Sequence, residues 1–292
     1  VSEVLLRDCS DAGARAGHLD EAVKTLASGQ LVVLPTDTVY GIAADAFTPK
    51  AVSALLRAKG RGRQMPPPVL IGDVRTLDGL ATEIPQAVRD LVTEFWPGPL
   101  TVILTAQPSL HWDLGETHGT VALRMPDDEV ALALLRRTGP LAVSSANKTG
   151  QDSATTCADA AEQLGRAVKV YLDGGATPGP VPSTIVDATG AQMRIVREGA
   201  LTAEELGSIA PELLPENQPA EVGDGPDEGD EAVGDEADGD GQGTPGEHEA
   251  DQPSTDEPGT DEPGTEDTDT EDTDTEDTDT EETDTTGGAT QP

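Results

Sequence analysis

No lysine or arginine lies beyond Arg197, and almost no large apolar residue follows Leu214. That break confines folding to the front of the chain. Of the 56 acidic residues, 30 fall between Glu216 and Asp284, which leaves 26 acids against 18 bases in the front part. The formal net charge of −38 is thus mostly a property of the rear segment. A stretch so charged and so poor in apolar side chains cannot bury enough surface to offset the entropy of ordering. Residues 216–292 are therefore expected to form a disordered, acidic, low-complexity tail, and residues 1–215 a single domain with a sizeable core. Repeats in the tail fit this reading. Asp-Glu-Pro-Gly-Thr is written twice from Asp256, and Glu-Asp-Thr-Asp-Thr three times from Glu266. Such units repel one another and stack into nothing.

The opening Val1-Ser2-Glu3-Val4 shows no basic region followed by an apolar run, and no stretch of 18 apolar residues occurs. The expectation is a cytoplasmic chain with no secretory signal and no membrane span. Val1 is read as a non-standard start or a trimmed methionine. Cys9 and Cys157 are widely separated, without metal-type spacing, and are read as reduced thiols.

Within the front part, helical and strand periodicities alternate. Leu19, Ala22, Val23 and Leu26 recur at helical spacing before Gly29. Further helices are expected from Thr48-Pro49, from Pro85 to Pro97, after Asp127 as cap, and from Thr202 with Glu205 as a capping box. Short apolar runs at 31–34, 69–71, 100–104, 121–123, 141–143, 168–172, 184–186 and 193–196 read as strands. Interleaving of this kind predicts an α/β fold, and the close strand pair at its end predicts a mixed, twisted open sheet flanked by helices.

Familiar nucleotide motifs are missing. There is no P-loop and no G-x-G-x-x-G after a strand, and the histidines at 18, 111, 118 and 248 form no metal spacing. Four clusters could carry chemistry instead. Pro35-Thr36-Asp37-Thr38-Val39-Tyr40-Gly41 is a polar loop leaving a buried strand. Lys59-Gly60-Arg61-Gly62-Arg63 sets three cations between glycines, where backbone and side chains can approach a polyphosphate. Ser144-Ser145-Ala146-Asn147 offers hydroxyls and an amide after a strand. Ser183-Thr184 opens a strand, and Arg124 and Arg197 each end an apolar run. Taken singly, each also fits a bland reading as a hydrogen-bonded turn, a solvated basic turn, a strand–loop junction or a surface pair.

Taken in order, the clusters resemble the YrdC/Sua5 family of threonylcarbamoyl-adenylate synthases. The matching pieces are residues 34–41, Lys59-Gly60-Arg61, Trp96-Pro97-Gly98-Pro99-Leu100-Thr101, Val121–Pro126, Ser144–Asn147 and Ser183–Asp187, spread over about residues 18–209. The resemblance implies a twisted α/β sheet with a deep, positively charged concave face. It also implies a reaction in which threonine, bicarbonate and ATP give threonylcarbamoyl-adenylate and pyrophosphate, by positioning and charge stabilisation. By position, Thr36 and Arg124 would hold threonine, Arg124 through the carboxylate, with Ser183 and the backbone at Val143 completing that pocket. Lys59 and Arg63 would hold phosphates with Arg61 in support, while Thr120, Ser145, Asn147, Ser153 and Arg197 line the nucleotide side. Lys59, Arg61, Ser145 and Asn147 form the implied catalytic set. Mg²⁺ is implied with ATP, although the sequence shows no dedicated carboxylate cage. A separate transferase complex, which moves the threonylcarbamoyl group onto the tRNA adenosine beside the anticodon, is the implied partner.

Two features depart from the family pattern. A Lys-Pro or Asn-Pro pair often follows its Lys-x-Arg motif, whereas here the run is Arg63-Gln64-Met65-Pro66-Pro67-Pro68. The acidic tail also stands where longer members carry a second globular domain. Two other readings remain, a non-catalytic module that contacts RNA through a basic concavity and a paralogue acting on another carbamoyl-type substrate. For the tail, the readings are a solvating extension and a polyanion that competes with RNA or ATP.

Overall fold

The computed structural model describes residues 4–213, and its eleven strands form one mixed sheet. The expected disordered tail, the domain boundary at 215 and the reading of Val1 lie outside the described residues. In chain order the strands are β1 (Leu5–Asp8), β2 (Val32–Leu34), β3 (Gly41–Asp45), β4 (Val69–Leu70), β5 (Ala81–Thr82) and β6 (Leu100–Ala106). They continue with β7 (Thr120–Arg124), β8 (Leu141–Ser145), β9 (Val170–Asp173), β10 (Thr184–Asp187) and β11 (Arg194–Arg197). Across the sheet the order is β1-β9-β2-β3-β8-β4-β7-β6-β10-β11, with β5 paired to β6. Parallel pairs (β1 with β9, β9 with β2, β4 with β7, β6 with β10) are mixed with antiparallel ones such as β2 with β3 and β10 with β11.

One half of the sheet is covered on both faces. Val32 and Leu34 join one apolar cluster while Leu31 and Val33 join another, as the two-residue strand period requires. Helices α1 (Ala12–Ala27) and α5 (Glu129–Thr138) fill the first cluster through Leu19, Leu26, Val130 and Leu134. Helices α2 (Pro49–Lys59) and α6 (Cys157–Leu164) fill the second through Ala51, Leu55, Ala160 and Leu164. A strand buried on both faces reads as an unbroken apolar run, which is why 31–34 is legible in the sequence.

The other half is covered on one face. Leu100, Val102 and Leu104 of β6, Val121 and Leu123 of β7, and Val186 of β10 point into a core closed by α4 (Gln86–Phe95) and α7 (Ala203–Ile209). A four-residue helix α3 (Leu77–Leu80) adds Leu77 and Leu80 to that core. The alternate residues Thr101, Ile103, Ala122, Arg124, Ser183 and Ile185 face the opposite way, into a cavity that no helical residue lines. Strand β11 enters this pattern through a bulge. Val186 pairs with Ile195 but Ile185 pairs with Arg197, so Val196 is the extra residue. A bulge re-aims the side chain that follows it. Here it turns Arg197 onto the cavity face, although its partner two positions back, Ile195, is core.

Most expected elements are present, and the α/β class with a mixed sheet holds. Some details differ. The cap of α5 is Asp128, which accepts from the Ala131 amide at 2.8 Å. Asp127, expected in that role, instead donates its backbone N–H to Asp37. Thr48 stands at the N-cap of α2 but turns its hydroxyl back to Asp45. Strands β1, β3 and β5 and helices α3 and α6 have no counterpart among the expected elements.

Thr184 ties the last part of this half together. Its buried hydroxyl donates to Leu201 O at 2.6 Å and accepts from the Gly199 and Leu201 amides, each at 2.9 Å. Replacement of Thr184 by the near-isosteric valine strands the buried Leu201 amide and the half-buried Gly199 amide. It should cost roughly 2–4 kcal/mol in denaturant unfolding. A shift within about 0.5 kcal/mol would mean that this hydroxyl does not anchor the segment.

Candidate active site

The open sheet face and the loops around it enclose a cavity of about 420 Å³. Three arginines, Arg61, Arg124 and Arg197, are its only charged lining residues among those described. A domain with more acids than bases thus keeps acids off the wall of this cavity, which suits it to anions.

Arg124 closes β7 and is 6% exposed. Its Nε donates to Gly98 O at 3.0 Å, Nη1 to Thr38 Oγ1 at 2.9 Å and Nη2 to Asp37 Oδ1 at 2.5 Å. A guanidinium carries five N–H donors in a planar fork, so two remain for a ligand in the cavity. The tight stretch 96–100 presents Gly98 O. There the Trp96–Pro97 peptide is cis, Trp96 Nε1 donates to Leu100 O, and the Gly98 amide donates to Met125 O. Burial pulls the Arg124 pKa down while the Asp37 carboxylate opposes that shift. The pair is buried on both sides, with side chains 8% and 13% exposed.

Ser183 sits beside it. Its Oγ lies 2.8 Å from Thr101 Oγ1, and Arg197 Nη2 donates to Ser183 O at 2.7 Å and to Ser183 Oγ at 3.2 Å. Gly199 packs directly under this corner, where a Cβ would meet Pro182 O at 2.3 Å and Ser183 O at 2.6 Å. Desolvation and the nearby Arg124 charge lower the Arg197 pKa. Thr36, also expected to touch threonine, lines the cavity but spends its hydroxyl on Val39 O at 2.7 Å and the Thr38 hydroxyl at 3.1 Å.

The cation cluster after α2 divides into three roles. Gly60 adopts a left-handed conformation at φ 65° and ends the helix, turning Arg61 toward the cavity. Arg61 donates one bond, from Nη1 to Ser144 Oγ at 3.3 Å, and its buried Nε has no partner. Burial lowers its pKa, and among the described residues no carboxylate pairs with it. Lys59 is fully buried behind the wall. Its Nζ donates to the Ser145 carbonyl, to Asn147 O at 2.7 Å and to Asn147 Oδ1 at 3.3 Å. Burial first, and Arg61 second, push the Lys59 pKa down to about 7. The oxygens around it make an ammonium tolerable there. Arg63 lies outside the wall, forked onto Asp113 with Nη2–Oδ1 at 2.7 Å and Nη1–Oδ2 at 3.1 Å.

Of the residues singled out from the sequence, Thr36, Arg61, Thr120, Arg124, Val143, Ser145, Ser153, Ser183 and Arg197 share the cavity wall. Lys59, Arg63 and Asn147 do not. Asn147 uses its amide to bond Lys148 O and Gln151 O, and with Lys59 it fixes the loop that displays Ser145. Thr149 N also donates to Lys59 O at 2.8 Å. The sequence reading assigned no role to Asp37, Thr38, Gly98, Thr101 or Ser144, although every one lies inside a quoted motif. Each acts by holding an arginine or a serine, and a motif does not say which of its members points where.

A concave, arginine-lined face on an open α/β sheet suits an enzyme that handles anionic substrates. The chain belongs to the Sua5/YciO/YrdC family, whose sequence profile, described as "Telomere recombination", matches residues 24–199. A Mycobacterium tuberculosis protein that carries the provisional name threonylcarbamoyl-AMP synthase is 50% identical over 202 residues, covering 69% of this chain and 93% of that protein. The threonylcarbamoyl-AMP synthase of Bacillus subtilis is 36% identical over 194 residues, 66% of this chain and 56% of that one. The crystal structure of Pyrococcus abyssi Sua5 complexed with L-threonine superposes with a TM-score of 0.68 at 32% identity, covering 73% of this chain and 62% of that one. Escherichia coli YciO, at 22% identity and a TM-score of 0.63, shares the fold.

Arg61 is the least satisfied of the three cavity arginines, with one 3.3 Å bond and an unpartnered buried Nε. In the Arg61→Met variant the melting temperature should stay level or rise. Calorimetric affinity for inorganic tripolyphosphate should fall roughly tenfold to a hundredfold, the worth of a charge-assisted bond. A clear loss of stability with unchanged affinity would make Arg61 structural.

Proposed function

We propose that this protein is a threonylcarbamoyl-AMP synthase, joining L-threonine, bicarbonate and ATP into threonylcarbamoyl-AMP with release of pyrophosphate. The observation that carries the reading is the acid-free cavity wall with Arg61, Arg124 and Arg197 on it. The 50% identity to the mycobacterial protein supports it. In this reading the two open N–H groups of Arg124 take the threonine carboxylate, and Ser183 and Thr101 face the rest of the amino acid. Arg61 and Arg197 face the nucleotide side, where they meet phosphate charge. The threonine amine attacks the carbon of bicarbonate, a C–O bond breaks and water leaves; the resulting N-carboxylate attacks the α-phosphorus, whose bond to the bridging oxygen breaks as pyrophosphate leaves. Charge stabilisation and alignment supply most of the rate, since the wall holds neither a carboxylate nor an imidazole. Mg²⁺ belongs to this scheme as part of the ATP substrate. Among the described residues no group of three His, Cys, Asp or Glu could hold a metal, so the triphosphate itself would carry the ion.

The same reading makes residues 1–215 the catalytic part and 216–292 a solvating extension. It places the enzyme in the cytoplasm, handing its product to a tRNA-modifying transferase, with RNA contact confined to that step. No helix among the described residues is long and apolar enough to cross a membrane. The test is pyrophosphate release from purified protein with ATP, Mg²⁺, bicarbonate and threonine. Release should require both threonine and bicarbonate, and Arg124→Ala should abolish the threonine-dependent release. Release indifferent to threonine would overturn the proposal.

A further inference from the structure

Two arginines at this site are paired with carboxylates, and the pairs differ in one decisive respect. Arg124 and Asp37 are buried, whereas the side chains of Arg63 and Asp113 are 51% and 42% exposed. A buried pair cannot be opened cheaply, because one charge is left in a poor solvent. An exposed pair is worth little and exchanges readily. We propose that Asp113 is a parking counter-ion for Arg63, a specificity-determining residue that the polyphosphate of the nucleotide must displace. The inference rests on the nucleotide reading given above.

Geometry makes Asp113 the fixed member and Arg63 the mobile one. Trp112, on one side of Asp113, packs on the core and stacks on Phe47 with ring centroids 5.6 Å apart. Leu114, on the other side, is 2% exposed. The carboxylate also accepts from the Gly115 amide at 3.2 Å, so it keeps a partner when Arg63 leaves. The Arg63 guanidinium holds the carboxyl of Asp113 below the usual range, so it is ionised at neutral pH. The Arg63 backbone is clipped in place independently of its side chain. Arg63 O accepts from the Glu116 amide at 2.8 Å, and Gly115 passes so close that a Cβ would meet Arg63 O at 2.6 Å. Arg61 and Pro66 along the chain, and Leu114 and Thr117 across from it, all line the cavity. Arg63 thus stands between residues of the cavity wall with its backbone held, and its exposed side chain is the part that can change partner. Each ATP that binds competes with a carboxylate already in place, and a ligand with less negative charge competes less well.

The test is direct ATP binding by calorimetry on the full chain at low salt, without turnover. Asp113→Asn should tighten ATP binding two- to fivefold and AMP binding hardly at all. The gain should shrink as salt screens the pair. In an Arg63→Met background Asp113→Asn should have no effect, which isolates the coupling. Weaker binding in Asp113→Asn would make Asp113 a positioning residue for Arg63, and unchanged binding, or a gain that survives Arg63→Met, would also overturn the proposal. Failure of the wild-type chain to bind ATP at all would overturn the nucleotide reading itself.

Discussion

The burial of the Arg124 guanidinium sets the terms for the rest of the site. A permanently charged group at 6% exposure has to find its hydrogen bonds in the protein, and two separate segments supply three of them. The loop after β2 gives Asp37 and Thr38, and the turn before β6 gives Gly98 O. Each segment is shaped for that contribution. The loop folds on the Thr36 hydroxyl, and the turn is held by Trp96 and Met125. Removal of one partner from such an arrangement leaves an uncompensated charge, typically a loss of about 3–5 kcal/mol. The arginine, in this view, organises the loops as much as they position it.

Against this fixed point the other arginines form a graded series. Arg124 is paired with Asp37 and held by three hydrogen bonds. Arg197 is held by carbonyl and hydroxyl oxygens of Ser183, and Arg61 has one weak bond. The incompletely satisfied groups face the cavity, and in the proposed function an incoming anion completes them. Electrostatic preorganisation of this sort is set up when the chain folds, so little reorganisation is left for the reaction.

The fold was legible where one rule governs a stretch of chain. Strand β2 is apolar on both faces, and β6 alternates Leu100, Val102 and Leu104 with Thr101 and Ile103. Strand β3 was not legible, because Gly41-Ile42-Ala43-Ala44-Asp45 has small side chains of weak strand preference, and its pairing with β8 makes it a strand. Helix α6 opens on a capping box of Thr156 with Asp159, shorter than the Glu or Gln form that the eye searches for. At the site, composition revealed the cations but not their neighbours. Lys59, expected from the sequence to face a polyphosphate, lies fully buried at the end of α2, because the loop that covers it arrives 86 residues later. Asp113 gave no signal, since its meaning comes from a partner 50 residues away.

The bulge in β11 has a practical side. Val196 is the residue left over by the register shift, and at 40% exposure it belongs to neither the core face nor the cavity. Its neighbour in sequence is nonetheless an arginine of the cavity wall. That combination makes position 196 a place to attach a small environment-sensitive dye, close enough to report on occupancy and outside the space a ligand would fill.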